Sequence, residues 1–262
     1  MLALKLFLVP SLIAAISLAS RRWGPAIGGW LSGFPVVSAP VLFILGLEQG
    51  PAFAASAAAA TLAAVAAVLV FVLAYAWLAT RATWLPSLAG ALAAYALAIG
   101  LIYVMPLPLA ANAGLLYGAI WAAPRAFPQL HGGATRAPPL TVGEIAVRMA
   151  AAAMLVLGVT TFASDLGTRW SGLFAMFPVV GIVLSVSSHR HAGAAFTVRL
   201  LRGMALGFYA FTTFCLALAL AIPELGLGGG FCIALAAAAL VQAAVIRLVH
   251  GRRAAAGGTG SA

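Results

Sequence analysis

His189-Arg190-His191, followed within three helical turns by Arg199 and Arg202, is the densest group of ionisable side chains in this chain. Arg199 and Arg202, at i and i+3, share a helix face. Guanidinium groups grip phosphate and carboxylate through two parallel hydrogen bonds. Arg190, Arg199 and Arg202 are therefore candidates for holding an anionic substrate or a lipid phosphate, although basic residues beside an apolar run more often serve as an orientation signal. The two histidines have no acidic residue near them in the chain, which argues against a metal site. Glu48, Glu144, Asp165 and Glu224 all fall at the ends of apolar runs rather than at their centres. A proton-coupled carrier commonly places an acid mid-membrane, so this pattern suits a channel, a facilitator or a carrier of apolar or anionic substrates better. There is no nucleophile elbow, phosphate-binding loop, metal motif or carboxylate pair. No catalytic residue, metal ligand or cofactor is assigned, and the chain is not expected to be an enzyme.

A second group of residues stands out by recurrence. Phe34-Pro35-Val36-Val37 returns 143 residues later as Phe177-Pro178-Val179-Val180. Without gaps, 9 of the 30 positions 24–53 are identical to 167–196, among them Gly24, Gly29, Gly50 and Ala52-Phe53, where chance would give roughly three. Lys5 also falls on Arg148 at this offset. A proline within an apolar helix removes a donor and clashes with the preceding turn, so it kinks or breaks the helix. Paired breaks at matching positions are the best sequence pointer to the central site of a transporter. The substrate-binding candidates are therefore Phe34, Pro35, Val36, Ser38, Phe177, Pro178 and Val179. Packing kinks are the alternative reading.

These residues lie in an unusual composition. The 262 residues are 65% hydrophobic and only 7% charged, with a mean hydropathy of +1.14; a soluble domain carries about 25% charged residues. Apolar runs approximate nine spans at 2–19, 25–47, 52–79, 84–105, 107–123, 144–163, 168–188, 200–222 and 226–248. The net charge of +10 is spread through short connections, so nucleic acid is not an expected partner. Cys215 and Cys232 read as buried small hydrophobes. Asn112 and Gln242 are costly to expose to lipid and should face the bundle interior. Trp23, Trp30, Trp77, Trp84 and Trp170 fall near span ends, as an aromatic belt would. Gly24, Gly28, Gly29 and Gly33, with Gly203 and Gly207, have the spacing that permits close helix contact. Residues 1–20 resemble a signal peptide, but they align with 144–163, so a retained helix is expected.

Nine complete crossings would put twelve arginines on one side and leave only Lys5 and Arg169 on the other. That asymmetry predicts an N-terminus outside and a C-terminus in the cytoplasm. Equivalent spans are five crossings apart, so the halves should have inverted topology; re-entrant second and seventh spans would make them parallel instead. The expected fold is an all-α polytopic membrane protein with about nine transmembrane helices as 4+1+4 inverted repeats. The units are 1–105, a linker helix and cytoplasmic loop 106–142, an inverted repeat 143–250, and a disordered tail 251–262.

Gly172-Leu-Phe-Ala-Met-Phe-Pro-Val-Val180, Ser188-His-Arg-His191 and Arg199-Leu-Leu-Arg-Gly-Met204 resemble the small bacterial inner-membrane proteins of the GlpM type. The likeness covers roughly 60 residues of the second half; the first half shares Phe-Pro but has Glu48 where the second has His191. It implies a bacterial inner-membrane protein tied to exopolysaccharide production. The leading expectation is a transporter or flippase of a small solute or lipid-linked precursor in the bacterial cytoplasmic membrane, working by alternating access. The alternative is a non-transporting subunit of an envelope or exopolysaccharide assembly. Membrane lipids and a small-molecule substrate are the expected partners, and self-association as a homo-oligomer is compatible with both readings.

Overall fold

The computed structural model describes residues 2–35, 38–130, 141–165 and 177–257. Among them the secondary structure is entirely helical. In chain order the helices are α1 (Leu2–Trp23), α2 (Pro25–Ser32), α3 (Ser38–Gln49), α4 (Pro51–Ala79), α5 (Trp84–Val104), α6 (Leu109–Ala126), α7 (Val142–Asp165) and α8 (Val179–Gly257). The last bends at Gly193 (φ 77°, ψ 175°) and Gly226 (φ 67°, ψ −177°). These bends divide it into α8a (179–192), α8b (194–225) and α8c (227–257). Leu6–Trp23, Pro51–Ala79, Trp84–Val104 and the bent run Val179–Leu248 are long and apolar enough to cross a membrane.

The helix ends follow local chemistry. Gly50 takes φ 94°, which a side chain would strain, and Pro51 then occupies the first turn of α4, where a missing N–H loses nothing. Gly193, 143 residues on, takes φ 77° at the start of α8b. Helix continues through Gly257, where Arg252-Arg-Ala-Ala-Ala is a strong helix former, and residues 258–262 of the expected tail lie outside the described residues.

α4 and α8b form the centre of the bundle. Phe71, Tyr75, Phe214 and Leu218 are fully buried, and Phe214 packs edge-on against Phe231 of α8c, with ring centroids 6.0 Å apart. Gly46 of α3 abuts both Ala54, at the start of α4, and Leu227, just past the end of α8b. Near the other end of α4, Tyr75 meets His189, just before α8b begins. The two central helices therefore run in opposite directions. α1 and α7 are also antiparallel neighbours, since Ser17 near the end of α1 bonds Arg148 near the start of α7.

α2 crosses α8b at near-backbone contact. A methyl on Gly33 would stand 2.6 Å from Met204 O and 2.7 Å from Gly207 Cα, and one on Gly207 would stand 2.7 Å from Trp30 O. Gly29 likewise meets the Leu200 carbonyl, and Gly203 the Ala26 carbonyl. Close approach gains dispersion and Cα–H···O contacts, which drive helix association where lipid removes the hydrophobic incentive.

Several side chains depart from expectation. Trp30, expected near a span end, is buried inside the bundle, 5% exposed. Cys232 is exposed: it sits on the outer face of α8c, where an apolar thiol suits lipid as well as a core. Asn112 donates Nδ2–H to Leu107 O at 2.9 Å within its own hairpin, satisfying its amide without reaching another helix.

Candidate functional site

Arg81, Arg148 and Arg190 gather at one end of the bundle. There the Arg190 guanidinium lies over Trp84, 5.3 Å from the ring centroid, and that of Arg81 over Trp77, 5.2 Å away. Trp77 Nε1–H donates to Ala126 O at 2.6 Å, tying the end of α4 to the end of α6. Glu48 and Glu224 close α3 and α8b at the opposite end.

Part of this end is built by α1, α7, α8a and the start of α8b. A reciprocal cap starts α7: Thr141 N–H donates to Glu144 Oε2 at 2.7 Å, and Glu144 N–H to Thr141 Oγ1 at 3.2 Å. The cap holds the second carboxylate oxygen, Oε1, 3.1 Å from His191 Nδ1 on α8a. Glu144 thus supplies the acidic partner that the histidines lack along the chain, and it does so from 47 residues away. His189, Arg190 and His191 splay by about 100° each around the helix. They reach three different neighbours: Tyr75 of α4, Trp84 of α5 and Glu144 of α7.

One turn after Glu144, Arg148 turns inward and is only 7% exposed. Its Nη1–H donates to Ser17 Oγ at 3.1 Å, while its Nε–H has no partner. Ser20 Oγ, one turn on from Ser17, is also buried and unpartnered. Both border a cavity of about 20 Å3 that Arg21, Ser188 and His191 share. Arg190, Arg199 and Arg202, the anion candidates of the sequence, are not among its lining residues; Arg190 and Arg202 are exposed. Sequence reasoning missed Arg148 as a site residue. The available signal was its position inside an apolar run with Glu144 one turn earlier.

Each Phe-Pro motif stands at the start of a described helix, and the residues before the second copy, 166–176, lie outside the described residues. α2 ends at Ser32, whose Oγ–H donates to Gly29 O at 2.7 Å. Pro35 then accepts the first hydrogen bond of the following turn, Ala39 N–H to Pro35 O at 2.9 Å. The second copy repeats this bond at the same offset, Ile182 N–H to Pro178 O at 2.8 Å. Each proline therefore opens a new helix. Leu31 O, which Pro35 would leave free in a continuous helix, accepts Phe34 N–H at 3.3 Å. Pro35 and Pro178 are buried, Phe34 and Phe177 half-buried, Ser38 begins α3, Val179 begins α8a, and Val36 lies outside the described residues. Both motifs adjoin Met204 of α8b: its carbonyl abuts Gly33, and its methyl abuts Gly181 three residues past Pro178. Phe177 stacks edge-on with Tyr95 of α5 at 6.1 Å. Among the described residues no cluster of His, Cys, Asp or Glu could hold a metal.

Long apolar helices and an all-helical bundle make this an all-α membrane protein. No family model matches the chain, and no curated protein or solved structure matches it either.

Proposed function

We propose that the chain is a transporter or flippase of the bacterial cytoplasmic membrane, moving a small solute or lipid-linked precursor by alternating access between two inverted repeats. The observation that carries this reading is the matched pair of proline-opened helices. Pro35 and Pro178 accept the same helix-opening bond 143 residues apart, and both motifs adjoin Met204. Discontinuous helices meeting at a repeat interface are how carriers expose backbone polar groups to substrate at mid-membrane. Further support comes from the recurring positive-φ glycines Gly50 and Gly193 and from the antiparallel packing of α1 on α7, the first helix of each half. In this reading nine spans cross the membrane, the arginine-rich end is cytoplasmic, and Phe34, Pro35, Ser38, Phe177, Pro178 and Val179 border the path.

Pro35→Ala and Pro178→Ala restore a backbone donor and favour continuous helix. Each should lower uptake or export by about tenfold, equivalent to about 1.4 kcal/mol in a barrier, at unchanged membrane abundance. Full activity in both variants would reduce the breaks to packing kinks. The resemblance to GlpM-type proteins would then favour a non-transporting subunit of an exopolysaccharide assembly.

A further inference from the structure

We propose that the cavity between α1, α7, α8a and the start of α8b is a binding site for one oxyanion group of the phosphate type, gripped by Arg148 with Ser20 and rimmed by Arg21 and His191. This site is independent of the transport reading. It also differs from the exposed arginines of α8.

The unused donors make the argument. Taking a guanidinium out of water costs several kcal/mol unless charge and hydrogen bonds replace the solvent. Arg148 is 7% exposed, yet its one recorded side-chain bond goes to the neutral Ser17 hydroxyl, and its Nε–H is unpartnered. Glu144, one turn away, balances the Arg148 charge only through space: its carboxylate oxygens are engaged by Thr141 N–H and His191. Ser20, whose buried and unpartnered hydroxyl lies against Gly28 of α2, lines the same cavity. A buried guanidinium and a serine lining one cavity, with Arg21 at its rim, suit an acceptor that is negative and takes several hydrogen bonds.

Size narrows the ligand. The cavity holds about 20 Å3, space for roughly one water-sized group. One or two oxygens of an oxyanion fit inside, and the remainder of the ligand must lie at the rim, where Arg21 and His191 are exposed. Cations are excluded by the two guanidiniums. Two sources present this chemistry: soluble phosphate or a phosphate ester, and the headgroup of an anionic lipid.

The test uses the full chain, delipidated in a neutral detergent. Thermal unfolding is followed against inorganic phosphate and against sodium chloride at matched ionic strength. A parallel series compares bilayer discs of phosphatidylglycerol with discs of phosphatidylcholine. Ser20→Ala is the main variant, because it replaces an unpartnered hydroxyl and leaves the fold intact; Arg148→Lys keeps the charge and removes the fork. Saturable stabilisation by phosphate beyond that of chloride, with half-saturation raised about tenfold in Ser20→Ala and more in Arg148→Lys, supports the site with a soluble ligand. Stabilisation by phosphatidylglycerol alone, weakened in both variants, supports it with a lipid headgroup. Equal responses to phosphate and chloride together with no preference between lipids, or preferences that neither variant alters, would overturn it and leave Arg148 as a tie between α1 and α7.

Discussion

Gly33→Val and Gly207→Val each remove most of the folded protein from the membrane, while Gly114→Ala leaves it at or above the wild-type level. The physical contrast is between backbone and open space. At Gly33 an added methyl meets Met204 O at 2.6 Å and Gly207 Cα at 2.7 Å; at Gly207 it meets Trp30 O at 2.7 Å and Gly33 Cα at 2.8 Å. None of these atoms is the movable end of a side chain, so the helices themselves must separate. Overpacking a well-packed contact costs about 1–3 kcal/mol or more, and parting α2 from α8b forfeits the contacts at Gly29 and Gly203 as well. Valine adds two further carbons at the same place. At Gly114 of α6 nothing lies within 4 Å of the new methyl, and alanine gains up to about 1 kcal/mol in helix propensity. Membrane abundance and thermal unfolding of the three variants check this. Normal abundance of both valine variants would show that α2 and α8b do not cross at Gly33 and Gly207.

A phosphatase reporter that works only outside the membrane stays silent when fused after residue 257 and is active when inserted in the hairpin at residues 106–107. The structure brings Arg81, Arg148 and Arg190 to one end of the bundle, through Trp77, Ser17 and Trp84 respectively. α8c leaves the opposite end at Gly226. By Arg247 it has risen about 30 Å, the thickness of the hydrocarbon layer, and has returned to the arginine-rich end. Lysine and arginine are retained on the cytoplasmic side during insertion, so the contrast between the two fusions is all-or-none. An active fusion after residue 257 would reverse the orientation and remove the inverted arrangement of the halves.

Hydropathy alone determined the class of this protein and most of its helix positions. The apolar runs at 52–79, 84–105 and 144–163 differ from α4, α5 and α7 by at most two residues at either end. This agreement arises because lipid admits only segments that satisfy their own backbone hydrogen bonds, and the requirement is written in length and composition. The break at Phe34-Pro35 was legible for the same local reason, since a proline cannot continue the ladder of the helix before it. What the tertiary structure decided was which polar groups meet. Glu144 reaches His191, and Arg148 reaches Ser17 across 131 residues; no periodicity within one helix encodes either contact. The basic triplet looked like a single cluster along the chain, but helical rotation sends its members to three neighbours. Arg148 looked like one more orientation signal, and the pairing of α1 with α7 buried it. Glycine spacing marked residues able to approach closely, and only the crossing of α2 on α8b selected Gly29, Gly33, Gly203 and Gly207 as those that do. Local backbone chemistry can be read from order along the chain; the environment of a charge depends on which helices lie beside it.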